Sequence, residues 1–599
     1  MPESGPEPPP TLEIESETAL EPEPEPGLAP NVPEALPESD SDSDIREFTP
    51  EMGRGKRIKV PKVPFEEKHS ARSAISRPPI PKSYEEAVSD PLHGVHWRGA
   101  VKDEIDKLQS MKAWRVTELP PGRKAVGCRW VFAVKYTPTG HIARYKARLV
   151  AQGFSQAPGV DFTETFSPTL KLDSLRTMLA IACARDLEVH QLDVVNAYIA
   201  GKLTEEIYMR PPTILGLPLH LVLLLLQAMY GLKQSGRVWY QEISKTLKKL
   251  GFYHTESDWS MFVNADKSLI IGVYVDDMVI MGKELRAIEA LKAALTKAYP
   301  IKDMGEIGTC LGIRITRNRS LRTLELDQEA YLLNVLADYS MENCNPVATP
   351  VEGYANLLKS TPEEPRTDQN RYMSIVGSIN YAALATRPDL AYIASQLAQH
   401  CADPSVRHYN AANRVLRYIK GALTHRIIYH AQGRKPLQGY SDADYGGAED
   451  RHSISAYLFQ LQGGAIAWSS KRQRLIVTST TESEYIALCT AAKQGIWLRN
   501  LLYELGYENQ LPAPGKIHLL CDNQGALSLA NNPENHQRTK HIDVQYHYTR
   551  ELVESGALTT DYCPTASMLA DALTKPLSRG IFTTLIPQIL GAAAPEHRE

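Results

Sequence analysis

The 599 residues, 43% of them hydrophobic, exceed what a single core supports, so three or four domains are expected. The formal net charge of −4 hides an uneven distribution: residues 1–50 carry fourteen Asp or Glu against Arg46 alone, which leaves the remaining 549 at +9 and permits a polyanionic partner without proving one. Eight scattered cysteines, with no CxxC and no Cys/His cluster at zinc spacing, exclude a zinc-binding or disulfide framework and suit a reducing, intracellular setting.

Residues 1–85 are rich in Pro, Glu, Ser and Asp ("EPEPEPG", "ESDSDSD") and cannot bury enough apolar surface to fold, so a disordered acidic tail without a secretory leader is expected. Within it Arg54, Lys56, Arg57, Lys59 and Lys62 form a basic patch, readable as a solvated linker, a nuclear-import signal or an RNA-touching arm. Order is expected from Trp97, where Trp97, Ala100, Val101, Ile105 and Leu108 recur at helical spacing. Between residues 95 and 300 helical patterns alternate with short strands such as "CRWVFAVKY" and "SLIIGVYVDDMVIMG", which predicts a mixed α+β domain. The most apolar run, Ile214–Leu226, contains Pro218 and His220 and is too short to span a bilayer; it reads as a buried helix. Residues 301–430 read as a mostly helical connector. From 437 to 577 the order strand, hairpin, long helix, strand, helix, strand, helix predicts a separate α/β domain, and 578–599 form a C-terminal tail, its apolar stretch Ile581–Ala594 uninformative.

Two sets of carboxylates carry chemistry. Asp193 ends a β-rich run, and 83 residues later Asp276 and Asp277 sit between two apolar half-strands that read as a hairpin. Acidic residues at the tip of an apolar hairpin are costly unless a cation neutralises them, and Mg²⁺ favours carboxylate oxygens together with substrate phosphates. Two such ions about 3.5–4 Å apart suit nucleotidyl transfer. Side chains alternate along a strand, so Asp276 and Asp277 need not be equivalent, and Asp276 with Asp193 is the expected principal pair. A polar turn is the bland alternative for "VDD" taken alone.

The phrases "RYKARLVAQGFSQ", "FSPTLKLDSLR", "QLDVVNAYIAGKLTEEIYM", "YGLKQSGRVW" and "YVDDM" resemble, in order and spacing, the copia-type reverse transcriptases of retrotransposon polyproteins. That resemblance implies a right-hand polymerase fold of fingers and palm, with Asp193, Asp276 and Asp277 as the catalytic triad and Lys146 and Arg148 near the incoming triphosphate. It also implies that Tyr198 is an aromatic gate against a ribose 2′-hydroxyl and that Gln234 contacts nucleotide or template. The Leu-rich segment Pro211–Gln227 departs from the family's polar loop.

In the C-terminal part Asp442 and Asp444, two apart, share one face of a strand. Glu482 and Glu484 open a long helix; Ser479 and Thr481 each offer a capping box, and we assign capping to Glu482 and catalysis to Glu484. Asp522 ends a strand, and Asp571 is expected in the first turn of the last helix. The phrases "SDADY", "STTESEYIAL", "CDNQGAL", "RTKHIDVQYHYTRE" and "LADALTKPL" resemble the copia-type ribonuclease H. The resemblance selects Asp442 over Asp444 and implies that Asp442, Glu484, Asp522 and Asp571 hold two metals directing water at an RNA phosphodiester. His541 and His547 read as structural or phosphate-facing.

The implied protein copies RNA into DNA and degrades the RNA of the RNA–DNA hybrid, using two Mg²⁺ (or Mn²⁺) per site. Its expected partners are RNA template, DNA primer, dNTPs, the hybrid, and the integrase and gag particle of a parent polyprotein, in a cytoplasmic virus-like particle or the nucleus and away from membranes. No zinc knuckle, protease or integrase motif is visible, so a piece of a larger polyprotein is expected. The alternatives are an inactive or host-adopted nucleic-acid-binding remnant, and a nuclease with a dead polymerase half.

Overall fold

The computed structural model describes residues 78–136, 141–433, 435–446, 451–532 and 548–592. The basic patch, His541 and His547 lie outside them, as does all of the acidic tail up to residue 77; a helix, Tyr84–Ser89, already begins within the span assigned to that tail.

The helix Gly94–Ser110 buries Trp97, Val101, Ile105 and Leu108, the stripe its sequence spacing dictates, and each contributes roughly 1.5–3 kcal/mol by leaving water. It packs on an antiparallel pair, Cys128–Tyr136 and Ile142–Ala151. In the second of these strands Ala147, Leu149 and Ala151 are buried, so the alternating Lys146, Arg148 and Val150 face the opposite side.

The Leu-rich run is not a helix. Thr213–Leu215 form a single 3-10 turn, and Leu221–Gln227 is the central strand of a three-stranded sheet, paired with Trp114–Glu118 on one side and Lys202–Met209 on the other. Leu223 and Leu225 pack on one face while Val222 and Leu224 pack on the other. A strand buried on both faces reads as a continuous apolar run, which periodicity alone does not separate from a buried helix.

A six-stranded antiparallel sheet follows, in the order Ile301–Glu306, Glu188–Val194, Asp277–Gly282, Leu269–Tyr274, Met261–Asn264, Phe252–His254. Side-chain alternation makes it two-faced. Met278 and Ile280 pack with Trp239, Ile243 and Leu295 from two helices, whereas Val279 and Met281 join the core that contains the helix Leu172–Arg185. This half is the expected mixed α+β architecture.

The helical segment expected from residue 301 begins only at Glu329. Before it, Ile301–Glu306 completes the six-stranded sheet, and Thr309–Cys310, Ile313–Asn318 and Thr323–Asp327 form a smaller sheet closed by Ile427–His430. The helices Gln369–Ala385, Ala391–Ala398 and Val406–Gly421 then pack around a wholly buried ion pair, Arg387 to Asp389 at 2.7 Å, which also receives the Tyr418 hydroxyl.

The last sheet has the order Gly464–Arg472, Ile454–Leu461, Gln438–Asp444, Ile517–Cys521, Leu558–Tyr562; the first three strands are antiparallel and the last two join in parallel. The helix Thr480–Leu505 lies across it. Ser479 accepts the Glu482 amide, and Glu482 reaches back to the Thr478 amide at 2.8 Å, so Glu482 closes the helix start. Asp571 lies in a 3-10 segment, Leu569–Leu573, and not in the first turn of the last helix, which starts only at Arg579. That last helix buries Phe582, Leu585, Ile586 and Ile589 in the main core.

The described residues belong to one compact unit. One residue ties its parts together: Arg176, 2% exposed on the helix Leu172–Arg185, donates to the Ile466 carbonyl in the last sheet at 2.7 Å and to the Leu384 and Ala385 carbonyls of the connecting helix at 2.9 and 2.8 Å. Its guanidinium lies 3.8 Å over the Trp468 ring.

Candidate active sites

The first site is built at the end of the six-stranded sheet. Asp277 stands directly opposite Asp193 in the antiparallel register, and Asp276 occupies the turn that precedes it. Val275, at the tip, has φ 55°, a left-handed conformation that costs a β-branched residue about 1–3 kcal/mol. Two hydrogen bonds hold the tip in place: the Trp239 indole donates to the Val275 carbonyl at 2.6 Å, and the Val194 amide to the Asp276 carbonyl at 2.8 Å. All three aspartates are partly exposed. Gln191 donates to Asp277 at 3.0 Å, but burial outweighs that bond and raises the Asp277 carboxyl above its ordinary value.

Tyr198 stands beside these carboxylates, its phenol held protonated by burial and by the charge of Asp276. Its ring meets Tyr230 edge-on at 5.0 Å, and Arg148 lies 4.3 Å over the ring of Tyr230. Tyr230 is therefore the link between Arg148 and Tyr198. It is set in place by a close approach of two chain segments: its carbonyl accepts the Ala151 amide, and Gly231, at φ 93°, lies so near the strand that a Cβ would come within 2.1 Å of the Ala151 carbonyl. Lys146 shares the face of Arg148, and burial followed by the Arg148 and Arg144 charges pushes its ammonium down to about 8. Gln234 is 2% exposed and fully engaged, donating to the Asp161 carbonyl at 2.8 Å and accepting from Gln156 at 3.0 Å. Its amide braces the Gln156 loop.

The second site lies at the sheet end where Gln438–Asp444 and Ile517–Cys521 run in parallel. Asp442 (1% exposed), Asp522 and Asp571 each bring an oxygen within 4.8 Å of the others. Burial raises the Asp442 carboxyl, Asp571 is pushed up to about 8 by burial and the neighbouring Asp442, and Glu484 to about 10 by burial and then Asp442 and Asp522. Glu484 is only 6% exposed, and its Oε2 has no hydrogen-bond partner. The ammonium of Lys575 stands 2.9 Å from Asp571 and 3.9 Å from Asp442, occupying cation space. Thr574 donates to Asp442, and Thr565 donates to Asp522 at 2.7 Å. Asp444 is turned to another partner, the Tyr354 hydroxyl at 2.8 Å, which comes from the connecting segment.

Residues 111–353, a span that contains Asp193, Asp276 and Asp277, match the family model described as reverse transcriptase (RNA-dependent DNA polymerase). The chain is 39% identical over 515 residues to the retrovirus-related Pol polyprotein from transposon TNT 1-94 of Nicotiana tabacum, an alignment covering 84% of this chain and 38% of that protein. It is 40% identical over 523 residues to the polyprotein from transposon RE2 of Arabidopsis thaliana, covering 86% and 35%. The chain belongs with the copia-type retrotransposon Pol polyproteins. It spans little more than a third of the length of these relatives. Among solved structures, a foamy viral protease-reverse transcriptase in complex with double-stranded DNA aligns at 13% identity with a TM-score of 0.42, covering 78% of this chain and 70% of that one.

In this Pol-type chain the all-oxygen donor set of the second site, its raised carboxyls and the unpartnered Glu484 oxygen fit a hard divalent cation such as Mg²⁺ or Mn²⁺. The aspartates of the first site lie more openly and, among the described residues, join no group as tight. Among the residues at these sites that were not singled out from the sequence are Tyr230, inside a quoted motif; Lys575, four residues after Asp571; and Tyr354, ninety residues from Asp444.

Proposed function

We propose that this chain is an RNA-directed DNA polymerase whose second site cleaves the RNA of the RNA–DNA hybrid that the first site makes. The observation that carries the reading is that two carboxylate clusters, one inside the reverse transcriptase match, belong to one compact unit. Two Mg²⁺ or Mn²⁺ ions per site, when bound, supply activation of the attacking oxygen and stabilisation of the departing one. Asp193 and Asp276 are the principal holders at the polymerase site, with Asp277 steadied by Gln191 as the third. Arg148, backed by Tyr230, and Lys146 meet the incoming triphosphate, and the half-lowered Lys146 remains mostly charged at neutral pH. At the nuclease site Asp442, Glu484, Asp522 and Asp571 hold the cations, while Thr574 and Thr565 fix two of the carboxylates.

Partners follow from the chemistry: RNA template, DNA primer, dNTPs and the hybrid, and beyond them the other pieces of a parent polyprotein in a cytoplasmic particle or the nucleus. No helix among the described residues is long and apolar enough to cross a membrane. Recognition through backbone and 2′-hydroxyls makes binding salt-dependent.

Primer extension on a homopolymer RNA, together with release of labelled RNA from the hybrid, tests the reading. Both activities are expected with Mg²⁺ or Mn²⁺, both lost on chelation and both restored by the metal. Absence of extension by the full chain at any Mg²⁺ or Mn²⁺ concentration would overturn it.

Sugar choice is expected to rest on Tyr198, whose ring is propped edge-on by Tyr230 beside the aspartates. Tyr198→Val should raise ribonucleotide use relative to deoxyribonucleotide by roughly tenfold or more, since one steric contact is worth about 1–3 kcal/mol. An unchanged ratio of incorporation efficiencies would reduce Tyr198 to a packing residue.

A further inference from the structure

We propose that Cys521, Glu484 and Asp522 form a second, thiol-containing metal site that captures a thiophilic divalent cation such as Zn²⁺ and thereby blocks the nuclease centre. The proposal rests on the nuclease reading above for its consequence, but not for the binding itself.

One ligand atom from each of the three residues lies within 4.8 Å of the other two. The arrangement follows from the end of a strand. Cys521 is the last residue of Ile517–Cys521 and alternates inward with the buried Ile517 and Leu519, beneath the helix that carries Glu484; Asp522 follows and is only partly buried. The Cys521 sulfur makes only weak contacts, accepting the Asn523 amide at 3.4 Å and pointing to the Asn523 carbonyl at 4.0 Å. Glu484, whose buried Oε2 has no hydrogen-bond partner, supplies the second donor.

Donor chemistry separates this set from its neighbour. Asp442, Asp522 and Asp571 offer oxygen alone, which suits Mg²⁺ or Mn²⁺, whereas a thiolate adds little affinity for Mg²⁺ and much for Zn²⁺, Cd²⁺ or Co²⁺. Asp522 belongs to both sets, so a thiophilic ion bound to it competes with the oxygen set for that carboxylate. On entry the ion forms one bond to sulfur and two to oxygen; the thiol proton, and that of any protonated carboxyl, leaves to solvent, and no electron is transferred. Three protein ligands leave a fourth position for water, a common zinc geometry. Cys563, though also buried nearby, joins neither group and points to the Pro564 carbonyl, which makes it the natural control.

The test uses the full chain with Co²⁺ alone as a spectroscopic probe. A thiolate-to-cobalt charge-transfer band in the near ultraviolet is expected in the unmodified protein and in Cys563→Ser, and its loss is expected in both Cys521→Ser and Cys521→Ala. In Mg²⁺-supported hybrid cleavage, with each protein compared with its own zinc-free rate, the half-inhibitory Zn²⁺ concentration should rise about tenfold or more in the Cys521 variants, as for loss of a metal's supporting group. A cobalt band that persists in both Cys521 variants, or equal Zn²⁺ sensitivity, would overturn the site. A Cys521-dependent band in a protein that cleaves no hybrid with Mg²⁺ would support the metal site and overturn the nuclease reading instead.

Discussion

Asp276→Asn is expected to lower DNA synthesis on an RNA template by roughly a thousandfold or more while hybrid cleavage continues. The magnitude follows from what the side chain is asked to do. A divalent ion contributes several kcal/mol of charge stabilisation, each 1.4 kcal/mol is tenfold in rate, and no neighbouring carboxylate can substitute. Asp277 is turned toward Gln191, and Asp193 sits on the adjoining strand. The substitution keeps side-chain volume, and the turn is held by backbone contacts to Trp239 and Val194 that the amide does not disturb. Primer extension and cleavage of a preformed hybrid, measured on the same preparation, check it. Near-unmodified extension by the Asp276→Asn protein would remove this residue from the polymerase site.

Asp522→Asn is expected to give the converse result: loss of hybrid cleavage with DNA synthesis intact. Asp522 is the carboxylate shared by both candidate ligand groups at the second site and accepts the Thr565 hydroxyl, which an amide oxygen still receives, so folding should persist. Product then accumulates as full-length labelled RNA paired with new DNA. The effect is expected to be of the same order as above, about a thousandfold, since on the proposed reading the lost group is again a metal ligand. Degradation of the RNA strand at the original rate would make the four-carboxylate arrangement wrong and return attention to Asp444.

How much of this was legible beforehand depended on whether the signal was local. The carboxylates were legible as candidates because each lies in a short motif near an element end, and the hairpin around Asp276 was visible as two apolar half-strands. The i, i+3 spacing allowed either Glu482 or Glu484 to cap, and the helix start uses Glu482, as assigned. The strand Leu221–Gln227 was misread because being central, with partners on both sides, is a tertiary fact that erases the alternation a half-buried strand would show. The strands of 301–327 were missed for a related reason: they are short, and two of them pair with segments far away in sequence, Glu188–Val194 and Ile427–His430. Asp571 was assigned to a helix because "LADAL" has good helix formers, yet it forms a 3-10 segment before Pro576. Gln234 illustrates the limit of residue type as evidence: an amide suits a nucleotide edge and a buried brace equally, and its bonds to Gln156 and Asp161 could not be read from the sequence. Tyr354 illustrates the limit of distance, since nothing local to "GYANL" points to Asp444.

The buried guanidinium of Arg176 has a mechanical consequence. It is shared by the helix Leu172–Arg185, by the connecting helix and by the edge strand of the last sheet, so moving one of them away from the others breaks its carbonyl contacts or its stacking on Trp468. On the proposed reading the spacing between the growing 3′ end and the point of RNA scission is then a property of the protein and not of the nucleic acid. The chain behaves as a caliper, and its cuts should trail synthesis by a constant number of nucleotides whatever the template sequence.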